Sequence, residues 1–294
     1  MKLSVFFLSY DAMYRRGATT LELIDLAAKQ GFAAVEPMPV NDLQTVDQAR
    51  QFGEYAREKG LDVSCFSTSF QMLQGDRQQV IDALKQRIDM TAAMGAPMFH
   101  HTIHPPLSIP RPGDISYADA LNRVEGMLRE LCAYGDDRGV LCVYEDQGMY
   151  FNGRDGMRRL MDRLDGAHFG LVADLGNSYF VDEHPEDFIS MFSQKIVHVH
   201  CKDYLYKSGA NLYPGEGWYV TRSGNYLRDT ILGHGTLNLP AVLRVLDRIG
   251  YDGWYSLEYA GLEPPEIGIP QSMRNLVDVH AAVTGIPVRE PGII

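Results

Sequence analysis

Short, continuous apolar runs alternate along the chain with longer stretches whose apolar residues recur at helical spacing. The short runs predict strands at residues 3–8, 32–36, 61–67, 97–102, 140–145, 169–174, 195–201 and 254–258. The longer stretches predict helices near residues 20–30, 46–59, 77–95, 116–138, 155–164, 184–193 and 238–249, with a C-terminal helix near 270–284. Continuous apolar strands are typical of a sheet that is covered on both faces. Their alternation with helices predicts an α/β fold, a single parallel (β/α)8 barrel.

Several helix boundaries carry signals of their own. Thr19 and Glu22 have the spacing of a capping box at the start of the first helix. Gly31, Gly60 and Gly139 stand where a helix should end before the next strand. These signals support the positions of the predicted helices.

The chain shows no internal division. No low-complexity segment, charge block or Pro/Gly/Ser-rich linker interrupts it, so residues 1–294 are expected to form one domain. Two connections, residues 102–115 and 203–235, are unusually long. Loops of this length usually serve function or are disordered. Both follow the carboxyl ends of predicted strands, which form the active face of a β/α barrel.

Composition narrows the range of partners. With 27 Lys and Arg against 38 Asp and Glu, the net charge is −11, which disfavours nucleic acid and anionic membrane surfaces as partners. The N-terminal segment MKLSVFFLSYD predicts a first strand rather than a secretory signal. The cysteines form no CxxC pair, so they are expected to be buried, reduced thiols in a cytoplasmic protein.

Four predicted strands finish on a residue that can bind a hard divalent metal. These residues are Glu145 in LCVYE, Asp174 in GLVAD, His200 in KIVHVH and Glu258 in WYSLE. The carboxyl ends of barrel strands meet at one mouth, so the four residues predict a metal site there. A single acid at a strand end is more often a helix cap or a surface group. For Asp174 the sequence DLGN also fits turn chemistry.

The combination of side chains suggests both the metal and the reaction. Carboxylates with one imidazole suit Mn²⁺ best, and Mg²⁺, Co²⁺ or a catalytic Zn²⁺ remain open. A metal that chelates a carbonyl and an adjacent hydroxyl acidifies the C–H bond between them and stabilises an enediolate. Glu145 and Glu258, facing each other across the site, would remove and return the proton. Isomerisation, C3 epimerisation and loss of a β-hydroxyl all begin in this way.

At these residues the chain resembles the xylose isomerase-like TIM-barrel family, which includes sugar isomerases, ketose 3-epimerases, inosose dehydratases and the AP-endonuclease branch. The matching segments are YED, DLGN, VHVHCKD and GHGTLNLPAVLRVLDRIGYDGWYSLEYAG. The resemblance implies that Glu145, Asp174, His200 and Glu258 bind the metal. It also implies that Glu145 and Glu258 are the acid/base pair.

The chain departs from parts of the family pattern. Asn177 stands where ketose 3-epimerases have a histidine, and Phe151 stands where they have a second glutamate. Both departures count against epimerisation of a free ketohexose. The missing histidine and the net charge of −11 also count against the AP-endonuclease branch.

Residues proposed to contact the substrate are Arg228, Asn177, His101 and Lys202. Arg228 precedes a glycine pair, as an arginine does in the family, although it also fits an exposed lid. Strand alternation should direct either His100 or His101 into the barrel. Lys202 would stabilise an enolate oxygen or pair with Asp203.

Two further residues are secondary candidates. Glu36 ends the second strand, where a carboxylate facing the substrate fits. His198 lies two residues before His200 and should share its face one layer deeper.

The leading hypothesis is a divalent-metal-dependent sugar isomerase or epimerase acting on a polyhydroxy carbonyl compound. A metal-dependent dehydratase of an inosose or dehydroshikimate type is the first alternative, and a non-catalytic barrel that binds a sugar or metal is the second. The expected partner is a small sugar-like molecule. The sequence leaves open the substrate, its stereochemistry and the oligomeric state, a homo-oligomer included.

Overall fold

The computed structural model describes residues 1–285. The parallel strands are β1 (Lys2–Phe6), β2 (Ala34–Glu36), β3 (Asp62–Val63), β4 (Phe66–Thr68), β5 (Met98–His101), β6 (Leu141–Glu145), β7 (Gly170–Asp174), β8 (Ile196–Cys201) and β12 (Trp254–Leu257). A second sheet consists of β9 (Asp203–Lys207), β10 (Tyr219–Val220) and β11 (Tyr226–Thr230). The helices are α1 (Asp11–Tyr14), α2 (Thr20–Gln30), α3 (Val46–Glu58), α4 (Arg77–Met94), α5 (Tyr117–Asp136), α6 (Gly153–Arg163), α7 (Pro185–Phe192), α8 (Leu239–Arg248) and α9 (Pro265–Thr284).

The parallel strands form a nearly closed ring. Their order is β3-β2-β1-β12-β8-β7-β6-β5-β4, and only Ser64 and Cys65 separate β3 from β4 along the chain. These two short segments therefore act as one interrupted barrel strand that joins the ends of the sheet. The predicted (β/α)8 barrel is confirmed. The predicted domain boundary at residue 294 lies outside the described residues, and the single-domain organisation stays a prediction.

The helix signals read from the sequence are present in the structure. The Thr19 side chain accepts a hydrogen bond from the Glu22 backbone, and the Glu22 side chain accepts one from the Thr19 backbone at 2.8 Å. Gly31 ends α2 at a φ of 89°, in the left-handed region that favours glycine. Helix α9 starts at Pro265, earlier than predicted, because proline at the first position suits a helix start. None of the helices in residues 1–285 is long and apolar enough to cross a membrane.

The interior of the barrel has an apolar half and a polar half. One half holds a small apolar cluster of Cys65, Met98, Val143 and Val172. The other half holds buried polar side chains, among which the Ser4 and Ser64 hydroxyls are hydrogen-bonded at 2.7 Å. Polar His198 and Ser256 lie two residues before His200 and Glu258 on the same strands, whereas apolar Val143 and Val172 lie two residues before Glu145 and Asp174. All four cysteines of the chain are buried and free.

The long connection at residues 203–235 is an ordered excursion, which the sequence did not predict. In it β11 pairs antiparallel with both β9 and β10. The Asp203 carboxylate accepts backbone hydrogen bonds from Gly233 at 3.0 Å, Gly235 at 2.9 Å and Leu237 at 3.0 Å. These bonds fix the excursion above the barrel mouth. The other long connection, residues 102–116, contains no helix or strand.

Gly53 marks a close approach between α3 and α4 that gives a first prediction. A Cβ atom at Gly53 would lie 2.1 Å from the Met94 carbonyl oxygen, so Gly53→Ala forces the two helices apart. We expect a loss of about 1–3 kcal/mol in the free energy of unfolding, measured by urea denaturation. At an ordinary position inside a helix, replacing glycine by alanine instead increases the free energy of unfolding.

Gly126 in α5 provides the matched control. Its added Cβ would meet only the Arg77 side chain at 3.7 Å, so Gly126→Ala should stabilise the protein by about 0.5–1 kcal/mol. Equal stabilisation by both substitutions would contradict the close approach.

Candidate metal site

The structure brings the predicted ligands together at the carboxyl end of the barrel. Glu145 and Asp174 end β6 and β7, His200 lies near the end of β8, and Glu258 directly follows β12. All four are buried, with at most 6% of any of them exposed. One ligand atom from each lies within 4.8 Å of the others. The resulting cluster, Glu145, Asp174, His200 and Glu258, is called the carboxylate–histidine cluster below.

His200 is the centre of this cluster. Its Nδ1 lies 2.7 Å from Oε1 of Glu145 and 3.3 Å from Oε2 of Glu258. On the other side of the ring, Nε2 donates a hydrogen bond to Oε1 of Glu36 at 2.9 Å. Phe6 stacks on the imidazole with ring centroids 5.2 Å apart. The ring is therefore held on both edges and on one face.

The two carboxylate oxygens of Asp174 differ in their hydrogen bonding. Its Oδ1 accepts backbone hydrogen bonds from Gly176 at 2.7 Å and Asn177 at 2.9 Å. Its Oδ2 is buried and has no hydrogen-bond partner among the described residues. The turn chemistry of DLGN and the ligand role are thus compatible, because they use different oxygens. A buried carboxylate oxygen without a partner is costly, and a cation would satisfy it.

The residues present fit a divalent cation. Three carboxylates and one imidazole converge with no cysteine among them, which suits Mn²⁺ or Mg²⁺ better than structural zinc.

A second group of close ligand atoms, formed by Glu36, His198 and His200, is a hydrogen-bonded cluster. Glu36 has no exposed surface. It accepts from His198 Nε2 at 2.8 Å, from His200, and from the Ser67 and Ser256 hydroxyls. Both of its oxygens accept hydrogen bonds from these side chains. Glu36 therefore lies below the site and does not face a substrate, although the sequence had suggested that it would.

Protons compete with a metal ion for the ligand atoms of the carboxylate–histidine cluster. Burial raises the pKa of Asp174 well above its ordinary value, against the opposing charge of Lys202. Burial opposes a charge on His200, but Glu36 and Glu145 together raise the pKa of its imidazole well above the usual range. His200 is therefore doubly protonated and positively charged at neutral pH when no cation is bound.

Lys202 pairs with Glu258 and not with Asp203. Its buried ammonium donates to Oε1 of Glu258. Burial alone would lower the pKa of Lys202, yet Glu258 and further neighbours raise it well above the usual range. The Asp203 carboxylate instead accepts hydrogen bonds from backbone N–H groups of the excursion. Lys202 thus places a fixed positive charge beside the cluster.

His100, and not His101, points into the barrel. The His101 ring packs against Phe99 and Tyr144 on the outer face, toward the helices. The His100 ring lies 5.4 Å from the His200 ring, and its Nε2 is 3.7 Å from Oε2 of Glu145. The reason is strand alternation, which places neighbouring residues on opposite faces. The structure therefore places the predicted contact residue His101 away from the cluster and His100 beside it.

Asn177 and Arg228 occupy different surroundings. Asn177 is buried next to Asp174, and its side-chain nitrogen has no hydrogen-bond partner among the described residues. Arg228 lies on β11 with its guanidinium 5.2 Å from the Trp218 ring centroid. Asn177 is thus positioned to donate to a ligand at the cluster, whereas Arg228 belongs to the excursion above it.

Asp229 is a neighbour of the site that the sequence did not reveal. It follows Arg228 on β11 and is 8% exposed, with Oδ1 unpartnered among the described residues. Burial raises the pKa of its carboxyl, while the charge of Lys202 opposes this shift. The sequence signal was weak because residues 226–230 were not predicted to form a strand.

Comparison with known proteins agrees with this architecture. Residues 24–279 match the model of a family described as xylose isomerase-like TIM barrel. Among curated proteins, the inosose dehydratase of Clostridium beijerinckii is 27% identical over 149 residues, which cover 48% of this chain and 45% of that protein. The matched segment thus spans less than half of that relative.

Solved structures show the same fold across nearly the whole chain. A D-tagatose 3-epimerase-like protein superposes with a TM-score of 0.74 at 17% identity, covering 97% of this chain and 99% of the other. The probable 3-DHS dehydratase AsbF from Bacillus anthracis superposes with a TM-score of 0.72 at 16% identity, covering 94% and 98%. At these identities the likeness shows the fold alone.

Metal binding should release protons, because His200 holds one in the metal-free protein. Since the pKa of His200 is raised, the proton must be displaced throughout the neutral range, and affinity for Mn²⁺ should increase with pH. We expect about a tenfold increase per pH unit while one proton is displaced. Calorimetric titration with Mn²⁺ in buffers of different ionisation enthalpy measures the number of protons released.

His168 provides the control, since its exposed imidazole pairs with Asp136 away from the cluster. The variant His168→Asn should release the same number of protons as the wild type. An affinity that does not change with pH would contradict the proton held on His200.

Proposed function

Because the chain belongs to the xylose isomerase-like TIM-barrel family, we propose that it is a divalent-metal-dependent sugar isomerase or epimerase. It acts on a small polyhydroxy carbonyl compound by moving a proton next to the carbonyl. Glu145, Asp174, His200 and Glu258 hold the metal, with Mn²⁺ as the preferred ion. The observation that carries this proposal is the unpartnered Oδ2 of Asp174 within the buried cluster of ligand atoms.

When bound, a divalent metal held by these four residues would supply positive charge that stabilises a substrate oxyanion and acidifies the neighbouring C–H bond. The chain supplies the groups that move the proton. Glu145 and Glu258 approach the same nitrogen of His200 from different strands, at 2.7 and 3.3 Å. This proximity supports the proposal that the two glutamates act as the acid/base pair.

The two glutamates have different neighbours, which suggests different roles. Oε1 of Glu258 accepts a hydrogen bond from the Lys202 ammonium, so a positive charge lies directly beside this carboxylate. The second oxygen of Glu145 faces His100, whose pKa is lowered to about 3 by burial and by His200. His100 is thus neutral and brings no positive charge. We assign removal of the substrate proton to Glu258 and donation of a second proton, from its own carboxyl group, to Glu145; proton exchange with water then restores the pair.

The substrate contacts proposed from the sequence are revised in one position. Asn177 offers its free amide and Lys202 its ammonium beside the cluster. His100 takes the place of His101. Arg228, stacked near Trp218, is assigned to the cover over the mouth, where it contacts the outer part of a bound sugar.

A dehydratase is the second candidate, and a specific observation favours it. The matched curated relatives include proteins named inosose dehydratase. In addition, Phe151 packs against Tyr117 and Tyr150, so a ring occupies the position where ketose 3-epimerases have a second glutamate. Dehydration begins with the same proton removal and then loses a β-hydroxyl.

Removal of either proton-transferring carboxylate should abolish turnover. We expect Glu145→Gln and Glu258→Gln each to lower kcat by about 10²- to 10⁴-fold, because a neutral amide can neither accept nor donate the transferred proton. The assay uses a substrate selected from ketoses, sugar acids, inososes and dehydroshikimate with added Mn²⁺. Glu54→Gln, on the exposed surface of α3, is the control and should keep the wild-type rate. Full turnover by both site variants would refute the acid/base assignment.

Deuterated water distinguishes the two candidate reactions. Isomerisation or epimerisation should incorporate solvent deuterium at the carbon next to the carbonyl without loss of water, as read by proton NMR. Dehydration should instead produce a conjugated enone with ultraviolet absorbance. If no compound in the panel exchanges a proton and the protein retains no divalent ion, the proposed function is wrong.

A further inference from the structure

The buried carboxylate below the cluster has a role that the proposed reaction has not yet used. We propose that Glu36 is a positioning residue for the metal site, which fixes the His200 ring so that Nδ1 faces the metal and Nε2 keeps its proton. This inference rests on the proposed metal-dependent function. It concerns the orientation of a ligand and not the chemistry at the substrate.

Glu36 is held rigidly inside the barrel. It ends β2, has no exposed surface, and accepts hydrogen bonds from side chains of three other strands. The Ser67 hydroxyl donates to Oε1 from β4, and the Ser256 hydroxyl donates to Oε2 from β12. From β8, His200 and His198 donate through their Nε2 atoms at 2.9 and 2.8 Å. The carboxylate therefore cannot rotate without breaking several of these bonds.

The contact with His200 selects one form of the imidazole. A carboxylate can only accept at this position, so Nε2 of His200 must carry the hydrogen. A neutral ring with its hydrogen on Nε2 has its lone pair on Nδ1. That lone pair faces Glu145 and Glu258, where the metal would bind. Carboxylates that fix a metal-binding histidine in this way raise its basicity and orient it.

Packing alone does not account for a carboxylate here. The other half of the barrel interior is filled by the apolar side chains of Cys65, Met98, Val143 and Val172. Apolar side chains can therefore fill the interior of this barrel. A buried carboxylate is weak evidence for stability, because apolar replacements of buried ionic groups are often neutral or stabilising. Its position against the central ligand is better explained by orientation of that ligand.

The test measures Mn²⁺ affinity of the full chain by calorimetry. Glu36→Gln keeps the shape of the side chain but replaces one acceptor oxygen by a donor, and we expect binding weaker by about 10- to 100-fold. Ser4→Ala is the matched control, because Ser4 lies in the same polar half and bonds to Ser64 rather than to Glu36. It should lower thermal stability and leave Mn²⁺ affinity unchanged.

A spectroscopic measurement separates orientation from a general loss of structure. In the Zn²⁺-loaded wild type, the His200 Nε2–H resonance should lie far downfield because it is bonded to a carboxylate. In Glu36→Gln this resonance should move upfield, while thermal melting of the metal-free protein still shows a folded state. An unchanged resonance in the folded variant would overturn the assignment.

The remaining outcomes are also decisive. If Glu36→Gln does not fold, the double variant Ser67→Ala, Ser256→Ala frees Glu36 while keeping its charge, and it should bind Mn²⁺ severalfold more weakly. Unchanged affinity in whichever variant folds overturns this inference alone. A wild-type protein that binds no divalent ion would overturn the proposed function together with it.

Discussion

Burial of negative charge at the carboxyl end of the barrel is the constraint that organises this protein. Glu145, Asp174 and Glu258 are nearly excluded from water, and the ammonium of Lys202 reaches only Glu258 among them. Carboxylates removed from water require donors or opposite charge, and Asp174 retains an oxygen that has neither. A divalent cation would satisfy this requirement and would also polarise a bound sugar. The electrostatic demand of the fold and the proposed chemistry therefore have the same origin.

The barrel interior contains an apolar part and a hydrogen-bonded polar part, and the two parts support the ligands in different ways. An apolar half tolerates small shifts of its side chains, whereas hydrogen bonds specify distance and direction. Below the cluster, Ser4 bonds to Ser64, and Glu36 joins side chains of several strands. The interrupted third strand places Ser64 and Ser67 on either side of Cys65, so both halves of the interior meet there. Directional bonds thus support His200, whereas apolar packing lies beneath Glu145 and Asp174.

The sequence predicted those parts of the structure that local pattern determines. Strands covered on both faces are continuous apolar runs, and their ends place Glu145 and Asp174 at one mouth. The sequence could not decide between His100 and His101 because both residues are histidine. The structure decides it, because Phe99 packs against the helices and His101, two residues later, lies on the same outer face. The excursion at residues 203–235 was missed because the bonds of Asp203 to a distant loop hold it, and local propensity does not reveal them.

Under the proposed function, substrate choice falls to the side chains around the carboxylate–histidine cluster. Asn177 can hold a hydroxyl through its amide but cannot protonate it. The ring of Phe151 packs against Tyr117 in the hydrophobic core and supplies no carboxylate. Loss of a β-hydroxyl needs a nearby acid, whereas epimerisation needs only the two carboxylates that exchange a proton. Lys202 and Asp229 are protonatable groups near Glu258 that do not belong to the cluster. Under the proposed function, the outcome of the reaction therefore depends on which substrate carbon Lys202 and Asp229 reach, and β11 sets the position of Asp229.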